Sequence, residues 1–256
     1  MTTWALHTEV PIDEVNVHLA VLEAAGLLGI AEQSGRASIY LPQRCRDLPL
    51  SGRWERVADK DWSEAWKAGI GPVTVGAVRI VPPWLTGEDD TAAVTLVIEP
   101  AQAFGTGHHE TTTGCLAALQ RLDLSGRRVL DVGTGTGVLA LAAARLGAAE
   151  VVAVDTDPVA VATAVGNAER NGVHLEVRQG SIEAAAESFD VVVANLDTAT
   201  LVGLAAALPA RLRDGGILIA AGASRERQGE ALGALQRAGL TVTAHPGREW
   251  TLLVGR

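Results

Sequence analysis

Cysteine is nearly absent. Cys45 and Cys115 are the only two in 256 residues. Two cysteines cannot build a disulfide framework, so a reducing, cytoplasmic setting is expected. No apolar run approaches the ~20 residues that a membrane-spanning helix needs. Met1 to Val10 lack the basic and apolar stretches of a secretory leader, so none is expected there. Low-complexity tracts and internal repeats are also missing. Basic excess is lacking too: 21 Lys and Arg face 30 Asp and Glu, for a net charge of -9. Divided at Asp90, the first part holds 13 acids and 8 bases and the rest 17 acids and 13 bases. Neither part has the footprint of a dedicated nucleic-acid binder. An acidic enzyme can still draw a basic protein toward itself.

What the chain does have is apolar substance. Hydrophobic residues make up 48%, enough for a sizeable core, and the length suits one large domain or two smaller ones. Two textures are visible. The first 70 residues read as a small α+β domain rich in tryptophan. A helix is expected over Ile12 to Ala25, stopped by Gly26, and a strand over Arg36 to Leu41. A short helix is expected over Asp61 to Ala68, with Trp62 and Trp66 one turn apart. Arg36, Arg44, Arg46, Arg53 and Arg56 form a local basic cluster opposed only by Asp47 and Glu55. Such a cluster is either a solvated face or a docking patch for a ribonucleoprotein. Residues 71–90, ending in Pro82-Pro83-Trp84 and an acidic run, read as a linker.

From residue 91 to 256 strands and helices alternate. Strands are expected at Arg128 to Val132, Glu150 to Asp155, Leu175 to Arg178, Val191 to Ala194 and Ile217 to Ala221. Val138 to Leu146 reads as a helix. Asp157-Pro158 supplies a cap and a first-turn proline for another, ending near Asn171-Gly172. Continuous apolar strands suit a parallel sheet covered on both faces. Leu240 to Ala244 and Trp250 to Val254 are joined by too short a loop for anything but antiparallel pairing. The fold class is therefore α/β: a doubly wound, mostly parallel, seven-stranded sheet.

The loop Asp131-Val132-Gly133-Thr134-Gly135-Thr136-Gly137 leaves the first of these strands and opens a helix. Its glycines allow a sharp turn and close approach of a ligand, and its N–H groups are expected to face that ligand. Asp155 ends the next strand, where a carboxylate can accept both hydroxyls of a ribose. Gly135, Gly137 and Ala140 also satisfy a dinucleotide fingerprint, with Asp155 on the ribose of NAD. Three features favour S-adenosylmethionine instead. Asp131 stands just before the first glycine. The loop begins far from the start of the chain. Phe189 to Leu196 places Asn195 at the mouth of the fourth strand.

A second constellation, Phe104-Gly105-Thr106-Gly107-His108-His109-Glu110-Thr111-Thr112, is a glycine-rich loop running into a helix buried on Cys115, Leu116, Leu119 and Leu122. Its hydroxyls and amides can hold a carboxylate. A metal site at His108, His109 and Glu110 is disfavoured, because adjacent side chains diverge and no fourth ligand stands at a zinc spacing. No metal is expected.

This loop, together with Trp54-Glu55, Asp61-Trp62-Ser63-Glu64-Ala65-Trp66-Lys67, the glycine loop, Asn195-Leu196 and Glu249-Trp250, resembles the ribosomal protein L11 methyltransferases (the PrmA family) over nearly the whole chain. The resemblance implies a class I methyltransferase fold and S-adenosylmethionine as cofactor. It implies methylation of lysine side chains and the N-terminus of ribosomal protein L11, which the N-terminal domain recognises, free or on the ribosome. No direct sequence-specific nucleic acid contact and no membrane are implied, and the chain is expected to be a monomer. The implied cofactor residues are Phe104, Thr106, Thr112, Asp131, Gly133, Gly135, Asp155, Ser181 and Asn195. Asn195 and Leu196 are the catalytic candidates. The sequence departs from the family pattern at Asp197-Thr198, where small or apolar residues are usual, and at Ala221-Gly222-Ala223, where Ser-Gly-Ile is usual. These departures bear on the acceptor.

Three rivals remain at this point. An NAD-linked oxidoreductase needs a catalytic acid, and this region offers only His108, His109, His174 and His245. A methyltransferase acting on RNA or on another basic protein shares the fold, but Asn195 is not followed by an aromatic residue to stack a base. A ribosome-binding factor with a relic fold would have no use for the intact Gly133, Gly135, Gly137 and Asp155.

Overall fold

The computed structural model describes residues 3–10, 15, 18, 21–22, 25–33, 36–45, 48–57, 70–86, 92–100 and 104–256. The chain divides into two compact units, Met1–Ile70 and Gly71–Arg256.

The first unit carries an antiparallel sheet of β1 (Thr3–Thr8), β2 (Gly29–Gln33), β3 (Arg36–Leu41) and β4 (Arg53–Val57), in the order β2-β3-β1-β4. The strand expected at Arg36 to Leu41 is β3. Leu6 on β1 lies opposite Ile39 on β3 and Trp54 on β4. Leu6, Ile39 and Leu41 are buried together with Val15, Leu22 and Leu50. Of the helix expected over Ile12 to Ala25, only Val15, His18, Val21, Leu22 and Ala25 are described, and the Asp61 to Ala68 helix lies outside the described residues. In the basic cluster, the Arg44 guanidinium lies 5.2 Å from the Trp4 ring and 5.9 Å from the Trp54 ring, and Arg53 pairs with Glu55 at 2.6 Å. Arg46 and Asp47 lie outside the described residues.

The second unit begins where a linker was expected. The structure instead builds β5 (Val73–Val75) and β6 (Val78–Val81) from residues 71–86 and pairs β6 in parallel with β7 (Val94–Val97). The reason is the apolar side chains between the prolines and glycines: Val78, Ile80 and Leu96 are buried in the main core. Proline confines the chain only after β6, where Pro83–Leu85 makes a single 3-10 turn.

The main sheet has the order β10-β9-β8-β11-β12-β14-β13. Its strands are β8 (Arg128–Val132), β9 (Glu150–Asp155), β10 (Glu176–Gln179), β11 (Phe189–Asn195), β12 (Leu212–Ser224), β13 (Val242–Pro246) and β14 (Trp250–Gly255). β8 to β12 run parallel, and β14 is antiparallel to both β12 and β13. This is the expected seven-stranded, mostly parallel arrangement. The helices are α1 (Glu110–Leu119), α2 (Val138–Arg145), α3 (Pro158–Arg170), α4 (Thr198–Leu204) and α5 (Gln228–Arg237).

Successive residues of a strand face opposite sides of the sheet, and both sides here are covered. Val129, Val151, Val191, Val193 and Ile219 pack with α1 and α2. Leu130, Val132, Val152, Val154, Val192 and Leu218 pack with α4 and α5. That is why these strands read as unbroken apolar runs. The chain runs outward from β8 through β9 to β10 and then crosses back to β11 on the other side of β8. The carboxyl ends of β8, β9 and β11 therefore flank a switch point, where open α/β sheets place their ligands.

Candidate active site

The cleft sits at that switch point and has a volume of about 510 Å³. One wall comes from the ends of β9 and β10 and the start of α3: Asp155, Thr156, Asp157, Ala160, Gly180 and Ser181. The opposite wall comes from the end of β11, α4 and the bend in β12: Asn195, Leu196, Asp197, Thr200, Leu204 and Gly222. Phe104, His109, Thr111 and Trp250 line the remainder, with Gly133 and Gly135 between the walls.

Asp155 closes β9 with both carboxylate oxygens in use. Oδ2 accepts from the Gly135 N–H at 2.9 Å and Oδ1 from the Asp157 N–H at 3.0 Å. Each oxygen keeps a second lone pair, so the carboxylate can still accept two hydroxyls. Asp157 caps α3 by accepting from the Val159 N–H at 2.8 Å, as the Asp-Pro pair led us to expect.

The glycine loop holds a correction. Its N–H groups were expected to face a ligand, but the protein itself uses them. Gly133 and Thr134 donate to the Val154 carbonyl, Gly135 to Asp155, Thr136 to the Phe104 carbonyl and Gly137 to the Thr134 carbonyl. The Thr136 hydroxyl also donates to the Gly105 carbonyl at 2.7 Å. The Phe104 loop is thus tied down onto the glycine loop. Asn167 of α3 reinforces the tie. Its Nδ2 donates to the carbonyls of Thr136 (2.9 Å) and Glu99 (3.2 Å), and its Oδ1 accepts from the Glu99 N–H (2.9 Å).

Asp131 lies under this loop and does not line the cleft. Its side chain is 1% exposed. Oδ2 accepts from the Thr134 hydroxyl at 2.7 Å and the Ala140 N–H at 3.2 Å, while Oδ1 is buried with no partner. Burial pushes its carboxyl up to about 6 against those two hydrogen bonds. Burial likewise pushes the neighbouring Cys115 thiol up, so it stays a neutral, packed side chain.

Asn195 ends β11. Its Nδ2 donates to the Thr112 hydroxyl at 3.3 Å. This leaves Oδ1 without a hydrogen-bond partner among the described residues, in a cleft-lining position. Thr112 is fully buried and does not line the cleft, so it acts through Asn195. Leu196 follows, its N–H donating to the Ala221 carbonyl at 3.0 Å. Two glycines make room for it. A Cβ on Gly133 would stand 2.3 Å from Leu196 Cδ2, and a Cβ on Gly222, at φ +101°, would stand 2.0 Å from the Leu196 carbonyl oxygen. Backbone cannot yield as a side-chain tip can, so Gly222 is the stricter requirement.

His109 caps α1, its Nδ1 accepting from the Thr111 N–H at 3.3 Å. Its ring meets Phe104 and Trp250 edge-on, at 5.3 and 5.2 Å between centroids. Glu110 turns the other way and accepts from the N–H groups of Arg248 and Glu249. Those backbone bonds, Glu249 first, hold its carboxyl below the usual range. The three side chains His108, His109 and Glu110 therefore engage separate partners, His108 reaching back to the Thr106 hydroxyl at 3.2 Å.

Of the residues expected from sequence, Phe104, Gly133, Gly135, Asp155, Ser181, Asn195 and Leu196 line one cleft. Thr106, Thr112 and Asp131 do not. Sequence reasoning missed Asp157, Thr200 and Leu204 as lining residues. Helix starts on the cleft side of a doubly wound sheet were the available signal. Among the described residues, the lining side chains include three carboxylates and no Lys or Arg.

The model of the ribosomal protein L11 methyltransferase (PrmA) family matches residues 17–256. The chain is 40% identical to the ribosomal protein L11 methyltransferase of Deinococcus radiodurans, covering 95% of each. It is 38% identical to that of Thermus thermophilus, covering 98% of each. Among solved structures, the ribosomal protein L11 methylase from Lactobacillus delbrueckii subsp. bulgaricus matches with a TM-score of 0.68 and 27% identity. That match covers 72% of this chain and 97% of the other.

Proposed function

The chain belongs to the ribosomal protein L11 methyltransferase family, and we propose that it moves methyl groups from S-adenosylmethionine to amino groups of ribosomal protein L11. One observation carries the choice of cofactor: every backbone N–H from Gly133 to Gly137 is already bonded within the protein, and among the described residues no Lys or Arg lines the cleft. The pyrophosphate of a dinucleotide would bring two negative charges to a cleft lined by three carboxylates, with no free amide on that loop. A sulfonium cofactor carries no phosphate and a positive charge, which the same cleft favours.

The residues divide by wall. Asp155 accepts the ribose hydroxyls, and Gly180, Ser181 and Ala160 flank the base. Phe104 covers the cofactor at the open side. When bound, S-adenosylmethionine supplies a methyl group already activated by the sulfonium. The chain's own task is to present a neutral amine in line with it. Only about one free lysine in 10³ to 10⁴ is neutral at pH 7, a cost of about 4–5 kcal/mol that the site must lower. Asn195 Oδ1 accepts one N–H of the amine and the Leu196 carbonyl a second, which turns the lone pair toward the methyl group. Thr112 holds the Asn195 amide so that its oxygen, not its nitrogen, faces the cleft. Two free thiols and an acceptor that belongs to the ribosome suit the cytoplasm.

Calorimetric titration tests the cofactor assignment. S-adenosylmethionine should saturate the chain and NAD should give no heat. Saturation by NAD with none by S-adenosylmethionine would overturn it.

A further inference from the structure

On the wall opposite the ribose the cleft carries one carboxylate. Asp155 and Asp157 stand on the ribose wall. Asp197 stands alone on the opposite wall, two residues beyond Asn195, beside Leu196, Thr200 and Leu204.

Its geometry is fixed from within. Asp197 caps α4: Oδ1 accepts from the N–H groups of Ala199 (2.9 Å) and Thr200 (3.1 Å), and Oδ2 accepts from the Thr200 hydroxyl (2.5 Å). The Thr200 hydroxyl bond, and then the two amides, hold its carboxyl below the usual range, so it is anionic wherever the enzyme works. The charged groups that face it are few. Arg227, at the start of α5, is the cation acting on it. That guanidinium is spent on Glu230, at 3.0 and 2.9 Å. Asp155 and Asp157 face it across the cleft, with His109 on the remaining side. With one hydrogen bond accepted, Asp197 Oδ2 keeps further acceptor capacity, and Asp197 lines the cleft.

We propose that Asp197 captures the protonated amine of the acceptor at the mouth of the cleft, so that it sets the preference for cationic, lysine-like acceptors. The inference rests on the reading of the cleft as an amine methyltransferase site. Capture and chemistry pull in opposite directions here. A fixed carboxylate concentrates ammonium ions near Asn195. The same charge also stabilises the ammonium form and raises the pH at which the neutral amine appears. Asp197 is thus a positioning residue for the charged form, and Asn195 acts on the neutral one.

The test is Asp197→Asn, which keeps a capping oxygen and removes the charge. Initial rates on ribosomal protein L11 are measured with purified full chain at ~20 and ~500 mM salt, because an exposed charge acts only within the Debye length, ~3–30 Å over the range 1 to 0.01 M. KM for the protein should rise about fivefold to tenfold at low salt and come within about twofold of the wild type at high salt, as expected for a steering charge. The S-adenosylmethionine Kd should stay within about twofold, and the pH midpoint of kcat should move down. An unchanged KM at both salts, or a cofactor Kd that rises with KM, would overturn the assignment. A wild-type chain that leaves ribosomal protein L11 unmethylated sinks the functional reading and this inference together. An active wild type with an indifferent variant sinks the inference alone.

Discussion

Asn195 and Asp131 are two polar side chains on neighbouring strands in opposite surroundings, one lining the cleft and the other buried beneath the glycine loop. Asn195 has an idle Oδ1 in the cleft and an Nδ2 anchored on buried Thr112. Asn195→Ala should leave the S-adenosylmethionine Kd within a few-fold and slow methyl transfer by about 10²-fold or more, the scale of a lost positioning group. Asn195→Asp keeps an acceptor but favours the ammonium form, so its pH–rate profile should move to higher pH in single-turnover assays. Unchanged rates in both variants would reduce Asn195 to a strand-end cap. Asp131 is a stability group. Burial pushes its carboxyl up to about 6 in the folded chain, above the ordinary value of 3.8. The folded state therefore binds the proton more tightly, and stability falls as pH rises from near 4 through 6, then levels. Asp131→Asn removes this dependence. In urea titrations, the stability of the variant relative to wild type should grow by about 2 kcal/mol between pH 4.5 and 7.5. A constant difference would mean that Asp131 is not the buried ionisable group.

At the level of elements, the bend in β12 is the piece that sequence reading saw least well. Pairing with β14 slips between Ala220 and Ala223, and Gly222 at φ +101° sits in the slip against the Leu196 carbonyl. Gly222→Ala should cost about 1–3 kcal/mol of strain. It should slow methyl transfer more than it weakens cofactor binding, because the displaced carbonyl lies on the acceptor wall. Thermal melts and single-turnover rates read the two effects apart, and a full-rate variant would contradict the placement of Leu196. The rest of the main sheet was legible because its signals were local. Asp157-Pro158 fixed a helix start, and buried parallel strands cannot hide their apolar runs. β5 and β6 were not legible, because three- and four-residue strands beside Pro82-Pro83 look like linker until Val78 and Ile80 are seen in the core. The lining of the cleft was legible where a backbone motif marked it, at Gly133, Gly135, Asp155 and Asn195. It was less legible where a side chain meets the cleft only through a neighbour. Thr112 reaches the cleft only by way of Asn195, and the loop amides are consumed by contacts as distant in sequence as Phe104 and Val154. No periodicity announces such pairings.

For the whole molecule, the described residues that line the cleft all belong to Gly71–Arg256, while the first 70 residues form a separate unit with its own core. We propose that this first unit selects the acceptor. A chain beginning at Gly71 should bind S-adenosylmethionine with a Kd within a few-fold of the full chain and fail on ribosomal protein L11. Starting at Gly71 matters, since a later start would strip β5 and β6 from the core. Full-rate methylation by the shortened chain would refute the division of labour. The most direct test of the account is mass spectrometry of purified ribosomal protein L11 after incubation with the full chain and S-adenosylmethionine. The account predicts methyl additions on lysine side chains and the N-terminal amine, lost with Asn195→Ala. An unmodified protein, or methyl groups recovered on ribosomal RNA instead, would contradict it.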